Sequence, residues 1–245
     1  MSALSGKLAL ITGAASGFGA GIASRFVLDG AKVIIADIDQ PAAQAQAEQL
    51  GAAASWLEME VSSNTSVQAA AGQLNEPLDI LVNNAGIGHR PESLTTLSEA
   101  EFDKLVAVNM KSVYLTARHF VPRLNTAGSA ILNIASTAGV SPRPGLTWYN
   151  ASKGWMITAT RSMAVELADQ GIRVNAINPV AGETPLLSTF LGEDTPERRG
   201  EFLATIPLGR FSTPQDIGAA ASFLCSDDAA MITGVALEVD GGRCV

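Results

Sequence analysis

Short apolar runs alternate with longer helical patterns along the whole chain. The apolar runs predict seven strands, at 7–12, 32–36, 54–61, 79–82, 130–134, 173–177 and 236–239. Helical patterns fill the intervals, the longest of them at 98–124 and 148–170. Strands that alternate with helices indicate a parallel sheet covered on both faces. The pattern shows no linker or repeat, so we expect residues 1–245 to form one doubly wound α/β domain of about seven strands.

The first strand runs directly into three closely spaced glycines. Gly13, Gly17 and Gly19 precede a helical pattern, and Asp37 ends the second strand. Glycines let the backbone turn close to a pyrophosphate, the following helix offers its N-terminal amides, and the acid accepts hydrogen bonds from a ribose. The unit therefore predicts a Rossmann-like dinucleotide site. The alternative for Asp37 is a capping role in the next turn, together with Asp39.

A tyrosine and a lysine lie four residues apart in the helical pattern at 148–170. Tyr149 and Lys153 then share one helix face, and Ser136 precedes Tyr149 by thirteen residues. A nearby ammonium favours the phenolate and lowers the pKa of the phenol, which allows a tyrosine to act as a general acid or base. The alternative is a surface pair of no catalytic importance, so the spacing has to be weighed with the other motifs.

Composition narrows the range of partners and locations. The net charge of −8 makes nucleic acid and anionic membrane surfaces poor partners, and 47% of the residues are hydrophobic against 16% charged. No apolar run approaches the ~18 residues that span a bilayer, and the first residues lack the pattern of a signal peptide. Cys225 and Cys244 do not make a disulfide framework. We expect a cytoplasmic protein without a metal site.

Several motifs, in order along nearly the whole chain, resemble those of the short-chain dehydrogenase/reductase family. They are 12–19 (TGAASGFG), 83–86 (NNAG), Asn109, Ser136, 149–153 (YNASK), Asn178-Pro179 and 240–242 (DGG). The resemblance implies a catalytic tetrad of Asn109, Ser136, Tyr149 and Lys153. Tyr149 would exchange a proton with the substrate oxygen, which Ser136 would also bind. Lys153 would hold the nicotinamide ribose and lower the pKa of Tyr149.

The same resemblance implies a role for Asn109 and a set of cofactor contacts. Asn109 would hold a water near Lys153 through a local opening of its helix. The implied cofactor-binding residues are Gly13, Ser16, Phe18, Gly19, Asp37, Glu60, Val61, Asn84, Ala85, Gly86, Tyr149, Lys153, Pro179, Gly182 and Thr184. Two positions depart from the family pattern. Glu60 stands where an aspartate is usual, and two residues separate Pro179 from Gly182 where the family more often has Pro-Gly.

The cofactor is predicted to be NAD. A 2′-phosphate would place negative charge beside the Asp37 carboxylate, whereas ribose hydroxyls would donate hydrogen bonds to it. Family members that use NADP often carry a basic residue at the positions of Ser16 and Ile38, and this chain does not.

The segment at about 185–206 is predicted to be a helical insertion that covers the substrate. It carries leucines, isoleucine and phenylalanines between charged tips, and Leu146 and Trp148 flank Tyr149. We therefore expect a small, apolar ketone or alcohol as substrate. His89 and Arg143 could reach the rim of the pocket, but a solvated loop position is the simpler expectation for both.

Two helical patterns carry more apolar surface than packing on a sheet requires. Residues 98–124 and 148–170 are apolar on more than one face, which indicates a subunit interface, and the resemblance favours a homotetramer. The alternative is a pair of core helices covered by loops.

These observations predict an NAD-dependent oxidoreductase that transfers hydride between the cofactor and a secondary alcohol or ketone. One alternative is a 3-ketoacyl-carrier-protein reductase. Such enzymes commonly have arginines just before the fifth and sixth strands, where this chain has Ser129 and Gln170. The other alternative is a nucleotide-sensing protein without turnover, against which the complete tetrad speaks.

Overall fold

A computed structural model describes residues 2–126 and 128–245, and a sheet of seven parallel strands forms its centre. The order is β3-β2-β1-β4-β5-β6-β7. The strands are β1 Leu8–Thr12, β2 Lys32–Asp37, β3 Ala54–Glu58, β4 Ile80–Asn83, β5 Ala130–Ile134, β6 Arg173–Pro179 and β7 Ala236–Val239. The predicted doubly wound, single-domain α/β fold is confirmed. The strand order reverses between β1 and β4, which is where open sheets of this kind bind ligands.

Helices cover both faces of the sheet. They are α1 Gly17–Leu28, α2 Gln40–Leu50, α3 Asn64–Gly72, α4 Glu99–Val106, α5 Ser112–Phe120, α6 Thr147–Glu166, α7 Leu187–Leu191, α8 Pro196–Leu203 and α9 Pro214–Cys225. Helices α1, α2 and α9 pack on one face, against residues such as Ile11, and α3, α5 and α6 pack on the other, against residues such as Leu10. None of the helices in the described part of the chain could cross a bilayer.

The third strand is shorter than the predicted strand at 54–61. It ends at Glu58, and the Met59 N–H makes a last bond to the Asp37 carbonyl at 2.8 Å. The next amide, that of Glu60, donates to the Ser66 hydroxyl at 2.9 Å and so leaves the sheet. Glu60 and Val61 therefore lie in the loop at the carboxyl end of β3.

The predicted long helix at 98–124 is interrupted in its middle. Residues Ala107–Lys111 form a π-helical turn between α4 and α5. The Asn109 side chain accepts the Ile87 N–H at 2.9 Å and donates to the Ile87 carbonyl at 2.9 Å. Single π turns of this kind are frequent at functional sites. The expected local opening around Asn109 is thus present.

The helix that begins after Thr213 is capped by its own first turn. Thr213 and Asp216 form a reciprocal capping box, with Pro214 at the first helical position. Helix α9 packs closely on α1, because Gly21 and Gly218 leave no side chain between the two backbones. This contact fixes α1, whose N-terminus borders the cavity described below.

A buried polar network that the sequence did not predict joins the sheet to two helices. The Asn83 amide donates to the Asn133 side-chain oxygen at 2.8 Å, and Thr116 of α5 donates to the Asn83 side-chain oxygen at 2.8 Å. Asn133 in turn donates to the Thr160 hydroxyl of α6 at 2.8 Å. Buried polar groups of this kind stabilise only while each has its partner.

Asn133→Ala should lower the free energy of unfolding by about 2 kcal/mol or more, because it leaves the buried Asn83 amide without its acceptor and opens a small cavity. Denaturant titration measures the change. Asn64→Ala is the matched control, since Asn64 is exposed and, among the described residues, its side chain bonds only the half-buried His119 ring; its effect should stay within about 0.5 kcal/mol. Equal losses in the two variants would contradict the role of the network.

Candidate active site

A cavity of about 580 Å³ opens at the carboxyl edge of the sheet. Six of the seven strands supply lining residues at or just beyond their ends: Gly13 follows β1, Asp37 ends β2, Met59 follows β3, Asn84 follows β4, Ser136 lies beyond β5, and Pro179 ends β6. Because the strands are parallel, residues far apart in sequence meet at this one edge.

Nearly all of the predicted site residues line this cavity. Of those expected to bind the cofactor, Gly19 alone does not border it. The residues that do are Gly13, Ser16, Phe18, Asp37, Glu60, Val61, Asn84, Ala85, Gly86, Tyr149, Lys153, Pro179, Gly182 and Thr184. Three of the four expected catalytic residues, Ser136, Tyr149 and Lys153, border it as well, whereas Asn109 lies behind the wall.

The glycine turn is fixed by backbone conformation and by close packing. Gly13 and Gly17 have φ angles of +62° and +55°, which favour glycine. A Cβ on Gly19 would overlap the Gly13 carbonyl oxygen and lie 2.5 Å from the Asn84 amide nitrogen. That amide donates to the carbonyls of Thr12 and Gly13 at 2.9 Å each. Gly19 thus shapes the turn from behind, which explains its absence from the lining.

Asp37 lies in the cavity wall and also organises two turns. Its carboxylate accepts the Ala15 N–H at 3.0 Å and the Asp39 N–H at 3.1 Å. Asp39 itself caps α2 by accepting the Ala42 N–H at 3.1 Å. Asp37 therefore borders the cavity and also supports the loop, and its predicted contact with a ribose stays a prediction.

The segment after β6 borders the cavity even though its spacing departs from the family pattern. A Cβ on Gly182 would overlap the Phe18 ring, so glycine allows this segment to lie against α1. A Cβ on Gly17 would lie 3.4 Å from the Thr184 Cβ, which places Thr184 beside the glycine turn. The two additional residues before Gly182 do not remove Thr184 from the cavity.

Tyr149 lines the cavity and is buried, with only 7% of its surface exposed. The Phe190 ring of α7 packs on it, with a distance of 4.9 Å between ring centres. Burial raises the pKa of Tyr149 to about 12, and the Ser136 hydroxyl and the positive charge of Arg143 oppose this rise. In the chain by itself, Tyr149 therefore keeps its proton at neutral pH.

Lys153 is also buried, and its ammonium donates to the Ile134 carbonyl at 2.8 Å. Burial lowers the pKa of Lys153 to about 8. Its nitrogen lies 5.9 Å from the centre of the Tyr149 ring. The sequence suggested that Lys153 lowers the pKa of Tyr149. In the chain itself Ser136 and Arg143 do so, and the dominant effect of burial is in the opposite direction.

Asn109 is fully buried behind the cavity and connects three segments. Besides its two bonds to Ile87, its amide donates to the Ser152 hydroxyl at 3.1 Å. A Cβ on Gly86 would lie 3.5 Å from both the Asn109 side-chain oxygen and the Lys153 nitrogen. The Asn109 oxygen and the Lys153 ammonium thus approach the same side of Gly86.

The structure also corrects expectations about the substrate end of the cavity. Leu146 lines it as expected, but Trp148 does not; its ring packs edge-on against Phe102, and its indole N–H donates to the Leu94 carbonyl at 3.2 Å. His89 is buried, but not in the cavity. Arg143, which we expected to be a solvated loop residue, lines the cavity and is half-buried.

Phe190 and Phe202, in the segment predicted to cover the substrate, belong to the lining as well. The sequence located these phenylalanines in an apolar segment but could not single them out. For Arg143 the available signal was its position between Pro142 and Pro144, which indicates a fixed backbone.

Comparisons with known proteins identify the class of the molecule as an oxidoreductase. A family model described as Enoyl-(Acyl carrier protein) reductase matches residues 13–243. The chain is 47% identical to 4-formylbenzenesulfonate dehydrogenase of Comamonas testosteroni over 98% of each chain. It is 40% identical to D-threitol dehydrogenase of Mycolicibacterium smegmatis over 98% of this chain and 93% of that one.

A solved structure agrees with these matches. The crystal structure of 3-ketoacyl-(acyl-carrier-protein) reductase from Brucella melitensis complexed with NADH superposes with a TM-score of 0.91 at 48% identity, covering 99% of this chain and 100% of that one. The protein belongs to the short-chain dehydrogenase/reductase superfamily, as its motifs predicted.

Proposed function

We propose that the protein is an NAD-dependent dehydrogenase/reductase that interconverts a secondary alcohol and a ketone, with Tyr149 as general acid/base. The observation that carries this proposal is the buried Tyr149 side chain in the lining of the cavity, together with Ser136 and Lys153. The superfamily relatives act in the same reaction class, because they are named as dehydrogenases or reductases.

The residues around the cavity fit a nicotinamide dinucleotide. The turn from Gly13 to Gly17 exposes backbone at the N-terminus of α1, which suits a pyrophosphate. Lys153 has three N–H donors, and in the described part of the chain its recorded hydrogen bond is to Ile134 alone, so the ammonium can also donate to a ribose. The bound dinucleotide would supply or accept the hydride.

In the reducing direction Tyr149 donates its proton to the carbonyl oxygen. Its raised pKa keeps the proton in place until negative charge develops on that oxygen. The Ser136 hydroxyl binds the same oxygen, and the backbone N–H of Ala138 donates to Ser136 at 3.1 Å, which orients the serine. Lys153 remains mostly protonated near neutral pH, because its pKa is about 8, and it holds the ribose.

Asn109 acts through position rather than by contact with the substrate. Its amide fixes Ile87 and opens the helix between α4 and α5. We propose that a water held between its side-chain oxygen and Lys153 begins a proton path to solvent. The approach of both atoms to one side of Gly86 supports this arrangement.

The helical insertion at 185–206 covers the substrate in this proposal. Helices α7 and α8 and the segment before them line the cavity through Pro185, Leu186, Leu187, Phe190 and Phe202. Helices α7 and α8 share a small hydrophobic core of their own, which also includes Val180, Ile206 and Phe211 from the flanking segments. A lid with a separate core can move without disturbing the packing on the sheet.

We also propose a homotetramer located in the cytoplasm. Phe102, Tyr114, Trp155 and Val165 are 38%, 52%, 36% and 82% exposed on α4, α5 and α6, which is apolar surface suited to subunit contact. Two unpaired thiols, Cys225 and Cys244, suit a reducing compartment. Light scattering of the purified protein should give the mass of four chains.

A 3-ketoacyl-carrier-protein reductase is the second candidate, because the Brucella structure carries that description. Against it, Ser129 is buried, and the Arg173 guanidinium donates inward to the carbonyls of Leu224, Ser226 and Ile232. Neither Ser129 nor Arg173 offers a cation to an acidic carrier protein, and the net charge of −8 adds repulsion. Faster turnover of an acetoacetyl thioester than of simple ketones would favour this candidate.

Tyr149→Phe should lower kcat by about 10²–10⁴-fold and leave NADH binding unchanged, because it removes only the proton donor. Tyr114→Phe is the matched control: it removes the other phenol of the chain, which is half-exposed and, within the described residues, bonds only Arg118. Steady-state kinetics and NADH fluorescence titration measure both effects. Near-normal turnover by Tyr149→Phe would refute the assignment.

The unmodified enzyme should prefer NADH over NADPH by at least about tenfold in kcat/KM, because the Asp37 carboxylate binds ribose hydroxyls and repels a 2′-phosphate. Asp37→Ala should narrow the ratio, mainly by weakening NADH. Asp39→Ala is the control, since it removes the cap of α2 and leaves the carboxylate in the cavity. Its cofactor ratio should not change. An equal change in both variants would assign Asp37 a purely structural role.

A further inference from the structure

The substrate end of the cavity contains an arginine that no carboxylate neutralises. Arg143 lines the cavity together with Tyr149 and Phe202, and its guanidinium carbon lies 4.4 Å from the centre of the Phe202 ring. In the described part of the chain Arg143 has no ion-pair partner. By contrast, four other arginines have carboxylate partners: Arg25, Arg198, Arg199 and Arg210.

A second guanidinium approaches the same aromatic ring. The Arg243 guanidinium carbon lies 5.8 Å from the centre of the Phe202 ring, and among the described residues the buried Nε of Arg243 has no hydrogen-bond partner. Burial, and after it the positive charge of Arg243, lowers the pKa of Arg143. Two cations near one ring, without a carboxylate between them, are unfavourable unless an anion joins them.

The backbone holds both arginines in place in advance. Arg143 lies between Pro142 and Pro144, which restrict its backbone, and its carbonyl accepts a bond from the buried Asn150 amide at 2.8 Å. Arg243 follows a turn in which the Asp240 carboxylate accepts the N–H groups of Gly242 and Cys244 at 2.9 and 2.8 Å. Preorganised donors of this kind lose little freedom on binding a ligand.

Aromatic contact alone does not account for this arrangement. A leucine or methionine could cover Phe202 without bringing a charge to the cavity wall. Arginine presents a planar set of donors that matches a carboxylate or a sulfonate with two parallel hydrogen bonds. The apolar lining from Leu146, Phe190 and Phe202 then accommodates the body of the ligand between Arg143 and Tyr149.

We propose that the substrate is a small ketone or alcohol that carries a carboxylate or sulfonate, bound by Arg143 with Arg243 behind it. The inference rests on the proposed function, because it places the carbonyl group at Tyr149 and the anionic group at Arg143. It replaces the uniformly apolar substrate expected from the sequence with one that is apolar in the middle and anionic at one end.

Binding can be tested without turnover. Benzoate and its neutral counterpart benzamide have no ketone, and calorimetry measures their affinity for the NADH-saturated enzyme. Benzoate should bind roughly tenfold or more tightly than benzamide, because a hydrogen bond to a charged group contributes that much. Arg143→Met should remove the difference, Arg143→Lys should restore part of it, and Arg243→Met should reduce it.

The control is Arg198→Met, which changes the net charge equally. Arg198 lies on the surface of α8, outside the cavity, and pairs with Glu201 at 3.5 Å. Its benzoate affinity should match that of the unmodified enzyme. Equal affinities for benzoate and benzamide, or an equal loss in the Arg143→Met and Arg198→Met variants, would overturn the proposal.

Turnover separates this inference from the proposed function. The enzyme should reduce 4-acetylbenzoate with a kcat/KM roughly ten- to a hundredfold above that for 4-acetylbenzamide, and Arg143→Met should collapse this ratio. Equal use of both ketones would leave the reductase function standing and defeat the anion site. Failure of both ketones, together with Arg143-dependent benzoate binding, would defeat the assigned reaction and support the site. A preference for an acetoacetyl thioester over both ketones would overturn the small-acid proposal.

Discussion

The contact between the ends of β1 and β4 determines most of the candidate site. The Thr12 hydroxyl accepts the N–H groups of Asn84 and Ala85 at 3.0 Å each, and the Asn84 amide returns two bonds to the β1 side. These bonds hold the glycine turn against the loop that continues to Gly86 and Ile87. Asn109 is bonded to Ile87, and its side-chain oxygen approaches Gly86 together with the Lys153 ammonium. The contact between β1 and β4 therefore also sets the distance between the glycine turn and Lys153.

The fold and most of the cavity lining could be predicted, because they depend on local chemistry. Apolar runs predict strands, and positive φ angles at Gly13 and Gly17 explain why glycines stand there. The end of β3 could not be predicted, because the Glu60 amide leaves the sheet for a single hydroxyl, that of Ser66. The network from Thr116 to Thr160 was equally hidden, since its members lie on four separate elements.

Electrostatics was the part of the site that the sequence predicted least well. Spacing placed Tyr149 and Lys153 on one helix face, but spacing carries no information about desolvation. Burial moves the pKa values of these two residues in opposite directions, up to about 12 for Tyr149 and down to about 8 for Lys153, and so favours the neutral form of each. The charge that acts on the phenol comes from Arg143, in a loop whose path depends on the Asn150 amide.

The confinement of Arg143 between two prolines has a consequence for how such a protein can diversify. Its backbone is held by Pro142, Pro144 and the Asn150 amide, none of which depends on the side chain at 143. An exchange at that position would leave the sheet and the glycine turn in place, while it would alter the proposed anion site and remove a charge that acts on the Tyr149 phenol. A gene duplicate could thus acquire a new metabolite by very few replacements, but the same replacements would change the proton affinity of its general acid.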